Sequence, residues 1–289
     1  MIVDDDIAYT HLDRVLWPTT GTTKAELVRY YAEIAPVLVP HIKGRPLMLG
    51  RWPEGVNARG WGQFECRGRP SWMASYPLRL RDGRVVDVCV VDDERSLLWL
   101  AQQGVVELHA YLARMNAFDQ PLSVIFDLDP GAPAGLPECR DVALLLREAL
   151  AARGLGAVVK TSGATGLHVS VPIAEGPRFA ETKQFARSLA AGLVARRPDL
   201  VIDRMSREER RARVFIDWSQ NDERKQTVAP YSVRAMSRPF VSTPISWNEL
   251  ANSDPGALRF TMHDVPSRVA RYGDLFATPE VAAQTRRLG

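Results

Sequence analysis

The chain has 289 residues, of which 46% are hydrophobic and 25% charged, with a formal net charge of +3. That length suits one large domain or two modest ones, and the composition is that of a globular chain, not a disordered or fibrous one. No uncharged apolar run approaches the ~18 residues that a membrane span needs, and no membrane partner is expected.

Residues 1–6 are acidic and lack the basic-then-apolar order of a signal peptide. Thr23 and Glu26, ahead of Leu27 and Val28, form a capping-box pattern that predicts a helix to about Val39, kinked at Pro36. Residues 46–91 are rich in Gly, Pro and Arg, with short strand-like pieces, the clearest over 84–91. From Lys43 to Arg84 nine Lys/Arg stand against three acids, with Trp52, Trp61, Phe64, Trp72 and Tyr76 interleaved. Such mixtures suit phosphate backbones and base stacking, and equally a solvated face over core aromatics. Asp92 or Asp93 caps a short helix ending near Gly104, and 105–111 reads as a strand. Cys66, Cys89 and Cys139 are odd in number and without CxxC spacing. They predict free thiols in a reducing cytoplasm, not a disulfide framework or a zinc site.

The second half alternates regularly. Strands are predicted over 122–129, 157–161, 167–172 and 213–218, and helices over 137–153 and 178–197. The order β-α-β-β-α-β is the RRM-like arrangement, with both helices on one face and the other face open. In such sheets the first strand lies between the third and the fourth, and side chains two apart share a face. Asp127, Asp129, His168 and Asp217 are therefore expected together on the open face. A paired carboxylate at a strand end attracts a hard divalent cation, although it also suits a simple turn cap. Asp217 interrupts the apolar run Val214-Phe215-Ile216, and a carboxylate there needs a cation or an arginine. Between the second and third strands, Lys160-Thr161-Ser162-Gly163-Ala164-Thr165-Gly166-Leu167-His168 is a turn whose N–H groups, hydroxyl and imidazole could receive phosphate. It is not a Walker A loop, and an ordinary hairpin turn is the alternative.

These motifs in this order, Asp-x-Asp, Ser-Gly-x-x-Gly-x-His and the Asp of Ile216-Asp217-Trp218-Ser219-Gln220-Asn221, resemble the archaeo-eukaryotic primase superfamily. The closer resemblance is to the polymerase domain of bacterial DNA ligase D and its stand-alone relatives. It runs from Leu12-Asp13-Arg14 to Val233-Arg234-Ala235. It implies an α+β primase fold: an RRM-like βαββαβ catalytic sheet with an N-terminal α/β module packed on it. The 1–289 chain would be one primase-polymerase domain, with 1–120 positioning DNA, 121–240 catalytic and 241–289 a C-terminal extension.

By the same resemblance the chain is a template-dependent DNA/RNA polymerase-primase for gap filling and end-joining repair, favouring ribonucleotides. Asp127, Asp129 and Asp217 would be catalytic and hold two Mn2+ or Mg2+ ions. Ser162, His168, Lys160 and Arg234 would meet the triphosphate of an NTP or dNTP, and His109 the nucleotide sugar. Arg14 and Lys24 would bind the 5′-phosphate of gapped or broken DNA, and Phe64 would stack on the template. A separate DNA ligase and an end-binding protein are the implied partners, in a nucleoid-associated setting. This sequence departs from the family pattern at Thr165, at His11, at Arg14 and at Gln63-Phe64, where an aromatic pair is usual. The competing readings are a haloacid-dehalogenase-type phosphatase, which needs parallel strands, and an inactive nucleic-acid-binding module.

Overall fold

The structure, a computed structural model, describes residues 7–80, 82–173, 176–206 and 208–277. The acidic residues 4–6, Arg81, Arg207 and the end of the C-terminal extension lie outside the described residues. The first half runs β1 (Val15–Trp17), β2 (Thr22–Thr23), α1 (Lys24–Ile42), β3 (Leu47–Arg51), β4 (Trp61–Gln63), β5 (Ser75–Arg79), β6 (Val85–Cys89), α2 (Glu94–Gln102) and β7 (Val105–Tyr111). The second runs β8 (Ser123–Pro130), α3 (Leu136–Ala151), β9 (Val158–Thr161), β10 (Leu167–Pro172), α4 (Phe179–Arg196), β11 (Val201–Ile202), β12 (Val214–Asp217), β13 (Gln226–Val228), β14 (Pro244–Ile245), α5 (Trp247–Asn252) and α6 (Val265–Tyr272).

The chain divides into two compact units. Unit 1 holds the described residues up to Asn116 with Gln226–Ser242 and Phe260–Gly273, and unit 2 holds Ala117–Lys225, Thr243–Arg259 and the described residues from Asp274 on. Residues 226–240, expected within the catalytic region 121–240, thus group with unit 1, and 243–259, expected in the C-terminal extension, group with unit 2.

In unit 1 the capping box forms as expected: Thr23 Oγ1 accepts from Glu26 N at 3.3 Å and Glu26 Oε2 accepts from Thr23 N at 2.8 Å. The helix passes Pro36 and Pro40 to Ile42, beyond its expected end. Leu38 and Ile42 are fully buried, and that burial outweighs the lost backbone hydrogen bonds. The phenols of Tyr30 and Tyr31 donate to the carbonyls of Tyr231 and Val106, at 2.7 and 2.8 Å, so the core carries no unpaired hydroxyl there. Asp93 caps α2, accepting from Ser96 N at 2.8 Å, while Asp92 accepts from Gly44 N. The antiparallel sheet has the order β13-β7-β3-β4. The expectation of free thiols fails at one pair. Cys66 and Cys89 form a disulfide, because the Glu65–Val88 bridge and the Cys66 N–Asp87 O bond align residues 23 apart in sequence. Cys139 is free and buried.

Unit 2 carries a six-stranded sheet, β11-β12-β8-β10-β9-β14. Its four middle strands have the expected order, with β8 between β12 and β10, all antiparallel. That pairing excludes the parallel sheet of a haloacid-dehalogenase phosphatase. Phe126, Leu128, Leu167, Val169 and Ile216 are fully buried on the face that α3 and α4 cover. The alternate positions face the other way. Two edge strands were not visible in the sequence. β11 adds to β12 in parallel, and β14 pairs β9, where Thr161 N also donates to Thr243 O at 2.9 Å. Both are two residues long, too short to show a period. Among the described residues no helix is long and apolar enough to cross a membrane.

Candidate active site

Pairing across unit 2 places Asp217 opposite Asp127, Asp127 opposite His168, and His168 opposite Lys160. Directly opposed residues share a face, so these four form one row across the side of the sheet turned away from α3 and α4, with Asp129 two residues on from Asp127. The row is linked. His168 Nε2 lies 3.3 Å from Asp127 Oδ1, and Lys160 Nζ 3.3 Å from His168 Nδ1. With Lys160 donating to Nδ1, the ring proton sits on Nε2 and faces Asp127. Lys160, His168 and Asp217 are all buried.

Burial pushes the Asp129 carboxyl up, the charge of Arg210 pulls it down, and the neighbouring Asp217 raises it again. Arg210 is held with its guanidinium 3.8 Å over the Phe215 ring. The residues just after Asp217 in the chain aim its carboxylate, which accepts from Ser219 N at 3.0 Å, Ser219 Oγ at 2.5 Å and Gln220 Nε2 at 2.9 Å. Asn221 continues the ladder past the strand end, exchanging two hydrogen bonds with the backbone of Ile125 at 2.9 and 2.7 Å. Arg210 was not read from the sequence as a site residue; among seven arginines over 196–213 nothing singles it out.

No three His, Cys, Asp or Glu side chains among the described residues converge into a ready-made metal cage. The donor chemistry nevertheless fits a hard divalent cation. Three carboxylates share one face, and at Asp129 burial and the neighbouring Asp217 outweigh the Arg210 charge, so that its ionised form is disfavoured.

The Ser162 turn is built differently from its sequence reading. Ser162 Oγ accepts from Ala164 N and Gly166 N, both at 3.1 Å, so these two N–H groups serve the turn itself and not an anion. Gly163 has φ +71°, and a Cβ on Gly166 would stand 2.0 Å from Leu128 O, which explains both glycines.

In unit 1, Glu107 gathers the other nucleotide candidates. Its Oε2 lies 2.8 Å from His109 Nε2, and its Oε1 accepts from Arg234 Nε at 3.1 Å and Ala235 N at 2.9 Å. Burial alone would raise the Glu107 carboxyl, but the His109 bond, the Arg234 charge and the Ala235 amide hold it down at about 2. A Cβ on Gly50, the residue opposite, would come within 2.9 Å of Glu107 Cβ.

Arg14 and Lys24 line a cavity of about 190 Å³, joined by Thr10, His11, Arg51 and Gln102. Lys24 Nζ donates to Thr10 O at 2.8 Å, and burial followed by the Arg14 charge lowers its pKa to about 8. Arg14 is tied to Pro53 O and Glu54, and Arg51 to Gln103 O. His11 sits at φ 52°, a left-handed geometry that His and Asn share. Arg51 and Gln102 were missed in the sequence, since 51 and 102 approach Lys24 only through the fold. The aromatic surface also shifts. Phe64 is half-buried and Gln63 is occupied by Arg51 and the Glu65 carbonyl, whereas Trp61 is 45% exposed beside the Arg51 guanidinium, 5.4 Å from its ring centre.

Acidic groups aligned on one face of an RRM-like sheet, beside basic side chains, meet the needs of nucleotidyl transfer, and the class that fold and face define is the primase-polymerases, enzymes of nucleotidyltransferase type. The family model of the LigD primase-polymerase domain matches residues 23–276, and the chain belongs to that family. It is 37% identical over 274 residues to the multifunctional non-homologous end joining protein LigD of Mycolicibacterium smegmatis, covering 94% of this chain and 36% of that protein. It is 26% identical over 283 residues to the bifunctional LigD of Bacillus subtilis, covering 96% and 45%. The chain thus spans between about a third and a half of these relatives. Its structure matches the polymerase domain of Mycobacterium tuberculosis Ligase D, solved in complex with DNA, with a TM-score of 0.89, 33% identity, and coverage of 98% of this chain and 100% of that one.

Proposed function

We propose that this domain fills gaps and extends ends at broken DNA, copying a template with a preference for ribonucleotides. The carrying observation is the row Asp217, Asp127, His168 and Lys160, with Asp129 beside it. Asp127, Asp129 and Asp217 would hold the divalent ions, manganese or magnesium, two per site. Such ions neutralise triphosphate charge and acidify the primer 3′-hydroxyl. The 3′-oxygen forms its bond to the α-phosphorus as the bond to pyrophosphate breaks. The protein mainly orients and neutralises. Lys160 and His168 bring positive charge and an N–H donor to the end of the carboxylate row, and the Ser162 turn holds both strands in place. In unit 1, Arg234 supplies a guanidinium for phosphate and His109 a ring nitrogen for the sugar.

The Arg14–Lys24 cavity would take the 5′-phosphate of gapped DNA. A depressed lysine beside an arginine is a site short of an anion. Trp61, with Phe64, would stack on unpaired template bases. DNA binding is supported by the M. tuberculosis relative, and an end-joining setting by the named LigD proteins. A ligase, an end-binding partner and a cytoplasmic, nucleoid-associated location accompany that role. The test is extension of a 5′-phosphorylated gapped duplex with each nucleotide type and each metal. Template-independent or absent extension would overturn the reading.

A further inference from the structure

Glu107 is a buried carboxylate with no role in the mechanism above, yet it touches both unit 1 residues assigned to the nucleotide. We propose that Glu107 is a positioning residue that fixes the His109 tautomer, so that His109 Nδ1 becomes the acceptor for the 2′-hydroxyl that a ribonucleotide carries and a deoxynucleotide lacks. The inference rests on the preceding reading of His109 and deepens it.

Donor and acceptor roles fix the tautomer. A carboxylate held ionised can only accept. Its Oε2 faces His109 Nε2 at 2.8 Å, so Nε2 must carry the proton, and in the neutral ring Nδ1 is left as the lone-pair nitrogen. Such a nitrogen takes a hydroxyl donor and has nothing to offer a sugar lacking one. The other oxygen is committed by two donors, Arg234 Nε and Ala235 N. The same carboxylate therefore pins a guanidinium and an acceptor nitrogen together. A ligand that satisfies both brings an anion and, at the sugar edge, a 2′-hydroxyl, as a ribonucleoside triphosphate does. The local sequence is built for this. Glu107 and His109 are two apart on β7 and share a face, and Gly50 opposite leaves the space that Glu107 fills.

The decisive variant is Glu107→Gln. Because Oε1 must keep accepting from Arg234 and Ala235, the amide oxygen takes that place and the NH2 group faces His109 Nε2. That nitrogen must then accept, and the proton moves to Nδ1 with little change of shape. Primer extension is measured with matched ribo- and deoxynucleotides, above the imidazole titration range, beside 15N spectra of the His109 ring. We expect the ring proton to move from Nε2 to Nδ1. The ratio of kcat/KM for ribo- over deoxynucleotides should fall about tenfold, the worth of one polar hydrogen bond. The loss should sit mainly in ribonucleotide KM. His109→Ala should lose the same preference, which keeps the test alive if Glu107→Gln folds poorly. An unchanged ratio in either folded variant, or an unmoved ring proton in Glu107→Gln, overturns the proposal. A wild-type protein that extends neither nucleotide instead overturns the polymerase reading on which it rests.

Discussion

The carboxylate row of unit 2 and the cationic cavity of unit 1 are electrostatic opposites. At the row, burial and a neighbouring aspartate raise Asp129, and Arg210 only partly offsets them. At the cavity, burial and a neighbouring arginine lower Lys24 to about 8. One site is short of a cation and the other short of an anion. Glu107 is the contrasting case, a buried charge held near 2 by an imidazole, a guanidinium and an amide. Where the protein balances a buried charge itself, that charge positions other groups. Where it leaves the balance open, the deficit is what the proposed ligands would make good.

The comparison breaks first at Asp217. Asp217→Ala should cut primer extension by about 10³-fold or more, several kcal/mol of lost charge stabilisation, while leaving duplex affinity within a few-fold. Retained extension would remove Asp217 from the catalytic set. At the opposite site, Lys24→Ala should weaken binding of a 5′-phosphorylated gap by about 10- to 100-fold, the worth of a charged hydrogen bond, and leave the 5′-hydroxyl gap nearly untouched. Equal losses on both substrates would deny the cavity its phosphate.

Trp61→Ala should lower affinity for unpaired template about tenfold, and more than Phe64→Ala does, because Trp61 presents more of its ring. Fluorescence anisotropy on single-stranded overhangs ranks the two. The smallest effect is in pH. The folded pKa of Lys24, about 8, lies below its ordinary 10.5, so the unfolded chain binds more protons between these values. Its contribution to stability should therefore rise as pH climbs from about 8 to 10.5. A bound phosphate reverses the preference, so phosphate binding near pH 8 should take up protons, visible as a buffer-dependent heat. No proton uptake in wild type, or the same uptake in Lys24→Ala, would dissociate the lysine from the anion.

Much of unit 2 was legible in advance, because its strands follow a two-residue period and its helices carry ordinary start and stop signals. Once the strand order is known, that period alone puts Asp127, Asp129, His168 and Asp217 on one face. Less of unit 1 was legible. Residues 46–91 lack a sustained period, so the short strands β4 and β5, the Cys66–Cys89 disulfide and the exposure of Trp61 had no local signature. The Ser162 turn lies where the sequence places it. Its N–H groups were open to two readings, anion cradle or ordinary hairpin turn, and the Ser162 hydroxyl takes two of them for the turn.

Periodicity and motif order define the middle of the catalytic sheet and the residue types on the face opposite its helices, since both are local and survive without a fold. Which charges are balanced emerges with the folded chain. Arg210 beside Asp129, Arg51 and Gln102 beside Lys24, and Arg234 on Glu107 join residues up to 127 positions apart. Electrostatic compensation depends on distance and burial, and neither is written along the chain.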